Sequence, residues 1–282
     1  MSAHTRWIYR KRLRMILIYV LVIITVLFFA FPFVWMISVA VKRSDELFTF
    51  PPRLIPHRPI LDNFRTALSP AFLRYGLNSA IVATLTTAVT LAVAVFSAYS
   101  FSRLRYPGRK ALLILILLTQ LLPLAVLIVP IYRIMASLDM LNTYPALIIA
   151  YLTFTVPVAV WFLRGFFAAI PYELEEAAQI DGASPLGAFL YVVLPVSLPG
   201  ISATATYVFF VTWQEFMFAL AFTTSKAMRT LPVGILDFIG EHQTNWGVLM
   251  AASVLVCLPV FGLFFLMERQ FIAGLTRGAI KG

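Results

Sequence analysis

Residues 171–200, PYELEEAAQIDGASPLGAFLYVVLPVSLPG, form a polar interruption in an otherwise apolar chain. Pro171 is suited to open a helix, and the glutamates after it place negative charge on the first turns, where the helix dipole favours it. The Asp-Gly pair ending at Gly182 supplies a stop, and Ser184 can cap a second helix that opens on a proline. We therefore predict two short helices joined by a turn, and we call residues 171–195 the elbow.

The elbow combines acidic residues with small and apolar ones. Its first helix carries three glutamates, and leucine, alanine and isoleucine give that helix an apolar side. One interpretation is a passive connector lying in the lipid headgroups. Clustered glutamates argue against it, because anionic lipids would repel them. The interpretation that we favour is a rigid knob that fits a cleft on another protein.

The composition excludes an ordinary soluble domain. Of the 282 residues, 61% are hydrophobic and 12% are charged, and the mean hydropathy is +0.91. Soluble domains are about half apolar and about a quarter charged. Disorder is excluded as well, because so apolar a chain cannot stay solvated. The net charge of +10 could indicate nucleic-acid binding, but an excess of Lys and Arg in cytoplasmic loops explains it better.

Six apolar stretches indicate an all-α integral membrane protein with six transmembrane helices. Most are long enough to cross ~30 Å of hydrocarbon as a helix, and the short alternating segments of a β-barrel are absent from the sequence. Prolines within several stretches, Pro123 among them, predict kinks. The predicted spans lie at about 15–41, 75–101, 111–133, 141–163, 201–224 and 246–267. The predicted segments around them are a basic tail (1–14), an external loop (42–74), the elbow (171–195) and a C-terminal tail (268–282), with one transmembrane domain over 15–282.

Basic loops predict the orientation in the membrane. Segments 1–14 and 102–110 contain lysine and arginine but no acidic residue, and both adjoin predicted spans. The positive-inside rule places such loops in the cytoplasm. Both termini are therefore predicted to be cytoplasmic. The elbow is cytoplasmic too, because two spans separate it from the 102–110 loop.

The residues that usually carry catalysis form no recognisable pattern. Cys257 lies in an apolar run, and the three histidines make neither a metal-binding spacing nor a triad with it. The sequence contains no Gly-x-x-x-x-Gly-Lys-Ser/Thr loop that could hold ATP phosphates. We therefore predict no catalytic residue, no metal site and no cofactor in this chain, so that energy would come from a separate subunit.

The spacing in the elbow resembles the "EAA" loop of importer-type ABC transporter permeases. A Glu-Ala-Ala triplet at 176–178 is followed by Gly182, then by Val192 and a Leu-Pro pair at 194–195. The family usually has isoleucine in place of Val192. In that family the loop forms coupling helices that sit in a cleft of the ATP-hydrolysing subunit. The resemblance implies that the ATPase contact here is made by Glu173, Glu175, Glu176, Ala177, Ala178, Asp181, Gly182 and Ala183.

The resemblance extends over essentially the whole chain and narrows to the maltose-type carbohydrate permeases. The matching segments are 51–64, 213–216, 230–234, 246–252 and 274–282. The family's usual Trp-Asn-Glu-Phe has glutamine in place of asparagine here, and the C-terminal segment differs from the commonest residues at two positions. In that family the C-terminal tail reaches between two ATPase subunits. This implies ATPase contacts by Gly278, Ala279, Lys281 and Gly282.

The resemblance implies a function, partners and a location. The chain would be a type I ABC importer permease that moves a sugar or oligosaccharide by alternating access across a bacterial or archaeal cytoplasmic membrane. Its expected partners are a second homologous permease subunit, two ABC ATPase subunits, an extracytoplasmic substrate-binding protein and the lipid membrane, with no nucleic acid. ATP and Mg²⁺ would be bound by the partner ATPase subunits.

Glu215 is the one acidic residue within a predicted span, where a lone charge costs roughly 2.5–3.5 kcal/mol or more. One interpretation is a substrate pathway formed by Trp213, Gln214, Glu215 and Phe216. The interpretation that we favour is a structural ion pair near the outer end of the helix, with the aromatic residues as interfacial anchors. A rival function is an ion-coupled secondary transporter that uses Glu215. It would need inverted repeats, and none is clear in the sequence.

Overall fold

Helices make up the regular structure of the part of the chain that the structure describes. The computed structural model describes the backbone of residues 3–240 and 244–279, and the side chains of Trp7, 11–240 and 244–265. Within those ranges there is no β-strand. The α-helices are α1 (Ala3–Ala40), α2 (Asp62–Ala67), α3 (Pro70–Arg103), α4 (Arg109–Leu118), α5 (Leu124–Ser137), α6 (Tyr144–Ala169), α7 (Glu173–Ile180), α8 (Pro185–Ala188), α9 (Leu194–Val196), α10 (Leu198–Trp213), α11 (Met217–Phe222), α12 (Leu231–Gly234) and α13 (Trp246–Ala279). Short 3₁₀ turns lie at Ser44–Glu46, Thr119–Leu121, Lys226–Met228 and Ile235–Phe238, and a π-helical turn covers Phe189–Val193.

The helices confirm an all-α multi-pass membrane protein. Among the described residues, four helical segments are long and apolar enough to cross a membrane: Lys11–Ala40, Pro70–Arg103, Tyr144–Ala169 and Trp246–Phe265. Two bent helix pairs raise the number to six if each pair is one span. These pairs join Arg109–Leu121 to Leu124–Ser137 and Pro185–Val196 to Leu198–Trp213.

The predicted span over 111–133 is broken rather than kinked. The segments Arg109–Leu121 and Leu124–Ser137 meet at an angle of 100°. Leu122 between them is extended, with ψ at 125°. Proline disfavours the α conformation in the residue before it and cannot donate a backbone hydrogen bond. Pro123 therefore ends the first helix and lets a second one begin in a new direction.

The predicted span over 201–224 also contains a break, because α10 ends at Trp213 and α11 begins at Met217. Three residues separate the two helices, and Glu215 lies among them. By contrast, α1, α3, α6 and α13 each extend past the predicted end of their span at one terminus or both. The apolar residues predict only the part of a helix that lies within the lipid. The helix can continue past that part, because its backbone hydrogen bonds do not depend on apolar side chains.

The chain divides into two compact units, Met1–Leu68 with Phe238–Leu255 and Ser69–Asp237 with Val256–Gly282. In the first unit, Asn63 Nδ2 donates hydrogen bonds to the carbonyl oxygens of Ala40 and Lys42, both at 2.9 Å. A Cβ at Gly247 would lie 2.6 Å from Asn63 Nδ2. Only glycine therefore fits beside this asparagine without displacing it.

In the second unit, α3 packs against α6 and α10. Ala94 and Ala98 of α3 are fully buried against Leu163 of α6 and its neighbours. Small residues let membrane helices approach closely. Thr90 and Thr155 add a hydrogen bond of 2.8 Å between their hydroxyl oxygens across the same pair of helices. This packing positions the C-terminal end of α3 beside the elbow.

Candidate functional site

The first half of the elbow is α7, and its end has the geometry of a Schellman motif. Gly182 adopts φ +92°, which glycine reaches without the steric cost of a Cβ. Its N–H donates to the carbonyl of Gln179 at 3.1 Å, and Ala183 N–H donates to the carbonyl of Ala178 at 2.9 Å. These two bonds satisfy carbonyls that the helix end leaves open. The predicted stop at the Asp-Gly pair is therefore confirmed.

The second half begins as the sequence predicts and then departs from a regular helix. The Ser184 hydroxyl accepts a hydrogen bond from Gly187 N–H at 3.1 Å, so Ser184 is the N-cap of α8. A π-helical turn follows at Phe189–Val193. The helical segment Pro185–Val196 then bends by 70° into α10. The elbow is thus made of two short helical segments, and neither runs straight on into α10.

The surface of the elbow is both acidic and apolar. Glu173, Glu176 and Asp181 are exposed. Large apolar side chains lie exposed in the same segment, with Ile180 at 85% and Tyr191 at 81%. A lipid-facing helix would exclude the carboxylates, and exposed apolar groups rimmed by charge are typical of protein interaction sites. The arrangement therefore suits contact with a protein.

One of the predicted ATPase-contact residues differs from the others in its burial. Glu173, Glu176, Ala177, Asp181 and Gly182 are exposed, and Ala178 and Ala183 are partly buried. Glu175 is 2% exposed and faces Arg103 at the end of α3, with 2.6 Å between Arg103 Nε and Glu175 Oε1. Glu175 therefore does not belong to the exposed surface of α7, and its contact with an ATPase stays a prediction. A helix turns about 100° per residue, so consecutive glutamates cannot share one face.

The predicted contacts of the C-terminal tail lie outside the residues whose side chains are described. Gly278 and Ala279 belong to α13, but their surroundings are not described, and Lys281 and Gly282 fall outside the described backbone. Their role in contacting an ATPase stays a prediction.

The Glu215 carboxylate caps α11, and among the described residues it forms no ion pair. Its Oε1 accepts a hydrogen bond from Phe218 N–H at 2.9 Å, and its Oε2 accepts one from Ala219 N–H at 3.1 Å. The carboxylate thereby satisfies two of the backbone donors that open a helix. This supports a structural role, with backbone amides in place of the predicted cation.

The other predicted pathway residues have different surroundings. Trp213 is buried, and its Nε1–H donates to the carbonyl of Val256 at 3.1 Å. Gln214 is exposed, and Phe216 is partly buried. The contacts of Trp213 support a packing role, and a substrate pathway through these four residues stays a prediction.

Replacing Glu215 tests the capping role. Glu215→Ala leaves the N–H groups of Phe218 and Ala219 without their acceptor, and loss of a cap costs about 0.5–2 kcal/mol. We expect a lower unfolding temperature of the purified chain in detergent. Glu215→Gln keeps one side-chain oxygen and should lower it less. An unchanged unfolding temperature together with lost sugar uptake would instead favour the pathway interpretation.

Comparison with known proteins identifies the family. Residues 91–271 match the family described as binding-protein-dependent transport system inner membrane component. The chain is 39% identical over 253 residues to the sulfoquinovosyl glycerol transport system permease protein SmoH of Agrobacterium fabrum, covering 89% of each chain. It is 37% identical over 277 residues to the trehalose/maltose transport system permease protein MalG of Thermococcus litoralis, covering 96% of this chain and 98% of the relative.

Solved structures share the fold. A chain in the crystal structure of a bacterial ABC transporter that imports the acidic polysaccharide alginate matches with a TM-score of 0.78 at 20% identity, covering 93% of this chain and 98% of that chain. A chain of the MetNI methionine ABC transporter matches with a TM-score of 0.56 at 17% identity, covering 76% and 99%. With the sequence relatives, these matches show a transport subunit without catalytic function. The chain therefore belongs to the family of inner membrane components of binding-protein-dependent transport systems and has the fold of an ABC importer permease.

Proposed function

We propose that this chain is the permease subunit of an ATP-driven importer that moves a sugar or oligosaccharide across the cytoplasmic membrane by alternating access. The observation that carries the proposal is the elbow, whose exposed acidic and apolar surface is held by capped helix ends. The relatives support the substrate class, because their names refer to sulfoquinovosyl glycerol and to trehalose and maltose. The structural relative is involved in the import of the polysaccharide alginate.

The proposed orientation in the membrane is based on the C-terminal end of α3. Arg103 is the last residue of α3 and pairs with Glu175 of the elbow. The elbow and the basic 102–110 loop therefore lie at one end of this helix, and the positive-inside rule places that end in the cytoplasm. A cytoplasmic elbow can meet a subunit that hydrolyses ATP. With six spans, both termini are cytoplasmic as well.

The mechanism assigns this chain a mechanical role. Its proposed partners are a second homologous permease, two ATPase subunits that bind ATP and Mg²⁺, and an extracytoplasmic substrate-binding protein. Closure of the ATPase pair on ATP displaces the docked elbow, and the attached helices open the pathway outward. Hydrolysis resets them inward. Neither the family nor the structural relatives support the ion-coupled alternative, and the Glu215 carboxylate already caps α11.

Cysteine cross-linking tests the docking of the elbow. In a Cys257→Ala background, Ala177→Cys places an exposed thiol on α7. We expect a maleimide–benzophenone cross-linker, which couples to this thiol and on irradiation inserts into a C–H bond of a neighbouring protein, to link this chain to an ATPase subunit in native membranes. The matched control is Ala71→Cys, an exposed alanine near the N-terminal end of α3. At 1.5 Å per helical residue, it lies about 50 Å along the helix from Arg103, which contacts the elbow. Capture from position 71, or none from position 177 in an intact complex, would contradict the proposal.

A further inference from the structure

A buried polar network joins the last turn of α3 to the start of the elbow. Arg103 is 10% exposed, and its Nε lies 2.6 Å from Glu175 Oε1, although the Nε–H direction is not aligned for a hydrogen bond. Its Nη2 donates to the carbonyl of Ile170 at 2.7 Å. The guanidinium also lies 5.7 Å from the ring centre of Tyr172. One side chain of α3 thus contacts the elbow and the residue that precedes it.

Tyr99 lies one helical turn before Arg103 and contacts both halves of the elbow. Its hydroxyl donates to Glu175 Oε2 at 2.7 Å, which reaches α7. Its ring packs on Phe189 in the second half, with ring centres 4.3 Å apart. Residues four apart share a helix face. Tyr99 and Arg103 therefore present one continuous surface of α3 to the whole elbow.

The helices that precede and follow the elbow in the chain, α6 and α10, are separated from it by a break or a bend. Between α6 and α7, Ile170 is extended, with φ −80° and ψ 127°, and Pro171 cannot continue the ladder of α6. On the other side, the path into α10 bends by 70°. Neither α6 nor α10 is therefore a straight continuation of the elbow. The contacts of α3, in contrast, involve a charge pair and a hydrogen bond to the same carboxylate.

The chemistry of this contact favours a fixed geometry. A buried ion pair adds little stability, because desolvation offsets the attraction, but separating its charges is costly. An apolar contact could slide by part of a helical turn and still be apolar. The Glu175 carboxylate cannot leave Arg103 and Tyr99 without stranding a buried charge. The network therefore specifies one position of the elbow relative to α3.

We propose that Tyr99 and Arg103 are positioning residues that make the elbow and α3 one rigid lever, so that α3 is the helix that receives the movement of a docked ATPase. The inference rests on the proposed function and names the path by which that movement enters the permease. In this role Glu175 is the internal attachment point of the elbow, and the exposed residues of α7 form its outer surface.

Spin-label distances in the complete transporter, reconstituted in nanodiscs, test the lever. In the Cys257→Ala background, labels on Gln179→Cys in α7 and Val93→Cys in α3, both at exposed positions, report the distance between the elbow and α3. We expect one narrow distance distribution that is the same without nucleotide and with Mg-ATP plus vanadate. Arg103→Lys and Glu175→Gln should broaden it about twofold, because an elbow with fewer contacts samples more positions. Arg105→Lys, an exposed arginine two residues along, should leave it unchanged.

Two further variants keep the test usable if Arg103→Lys or Glu175→Gln fails to fold. Tyr99→Phe removes a single hydroxyl and should broaden the distribution less than Glu175→Gln. The exchange Arg103→Glu with Glu175→Arg should narrow it again relative to either single change. A nucleotide-dependent distance in the unmodified pair, or unchanged distributions in Arg103→Lys, Glu175→Gln and Tyr99→Phe, would overturn the lever. Capture of the ATPase at Ala177→Cys is measured in parallel in a separate preparation without spin labels, and its loss in that otherwise unmodified chain would instead overturn the proposed function.

Discussion

Substituting proline for Gly182 is expected to abolish co-purification of the ATPase subunit while leaving the chain in the membrane. Gly182 adopts φ +92°, whereas proline is restricted to about −65°, and its N–H, which donates to the Gln179 carbonyl, would be lost. Both changes fall in the turn that sets the direction between α7 and α8. The spans are untouched, so insertion into membranes should be normal. The measurement is the ratio of ATPase to permease after affinity purification.

Two milder substitutions at the same position separate backbone geometry from side-chain size. Gly182→Ala meets no atom within 4 Å of the new Cβ, so its effect comes from the left-handed conformation alone, at roughly 1–2 kcal/mol. Gly182→Asn should be better tolerated, because asparagine adopts this conformation more readily. We expect retained ATPase to decrease from Gly through Asn and Ala to Pro. A proline variant that binds normally would show that the turn is not part of the docking surface.

Reversing the charge of Glu176 is expected to have the second large effect. Glu176 is exposed in the first turn of α7, and lysine there opposes the helix dipole by only about 0.3–1 kcal/mol. The helix should therefore persist. If the acidic surface meets a basic cleft, a like-charge contact costs several kcal/mol, and binding should weaken by about 100-fold. Titration of the purified ATPase onto the permease in nanodiscs measures this loss.

The neutral control for this experiment is Glu176→Gln, which keeps the shape of the side chain. It should weaken binding less than Glu176→Lys, and the difference between wild type and Glu176→Lys should shrink at high salt, because exposed charges are screened. Equal affinity for Glu176→Lys and wild type would show that the acidic side of α7 faces away from the ATPase. The circular dichroism of both variants should match that of the wild type.

Local signals in the elbow could be predicted from the sequence because each acts over a few residues. The acidic residues in the first turn of α7 lie where the helix dipole favours them. Gly182 closes the end of α7, and Ser184 caps α8. The apolar stretches likewise predicted membrane helices, since hydrophobicity summed over about 20 residues needs no tertiary context. The EAA spacing pointed to the family that the comparisons then confirmed.

The residues whose surroundings differ from the prediction are those whose contacts depend on the tertiary structure. Glu175 looked like its neighbours Glu173 and Glu176 until the structure placed Arg103 and Tyr99 of α3 beside it. The sequence did contain one signal, because Tyr99 and Arg103 are four residues apart at the end of a predicted span. It could not show which segment packs there. Glu215 was similarly expected to need a cation, but the helix break at 214–216 supplies backbone donors instead.

The order of the amino acids is enough to show that this chain crosses a membrane as helices, that it places a capped, acidic elbow between two spans, and to which family it belongs. Which of the elbow's charges face outward, and which one anchors it to α3, became visible only in the folded chain. Burial and partnership are properties of contacts between segments far apart in the chain: Tyr99 and Glu175 are separated by 76 residues. Hydrophobicity, turns and caps are local, whereas the route of a movement through the protein depends on which helix touches which.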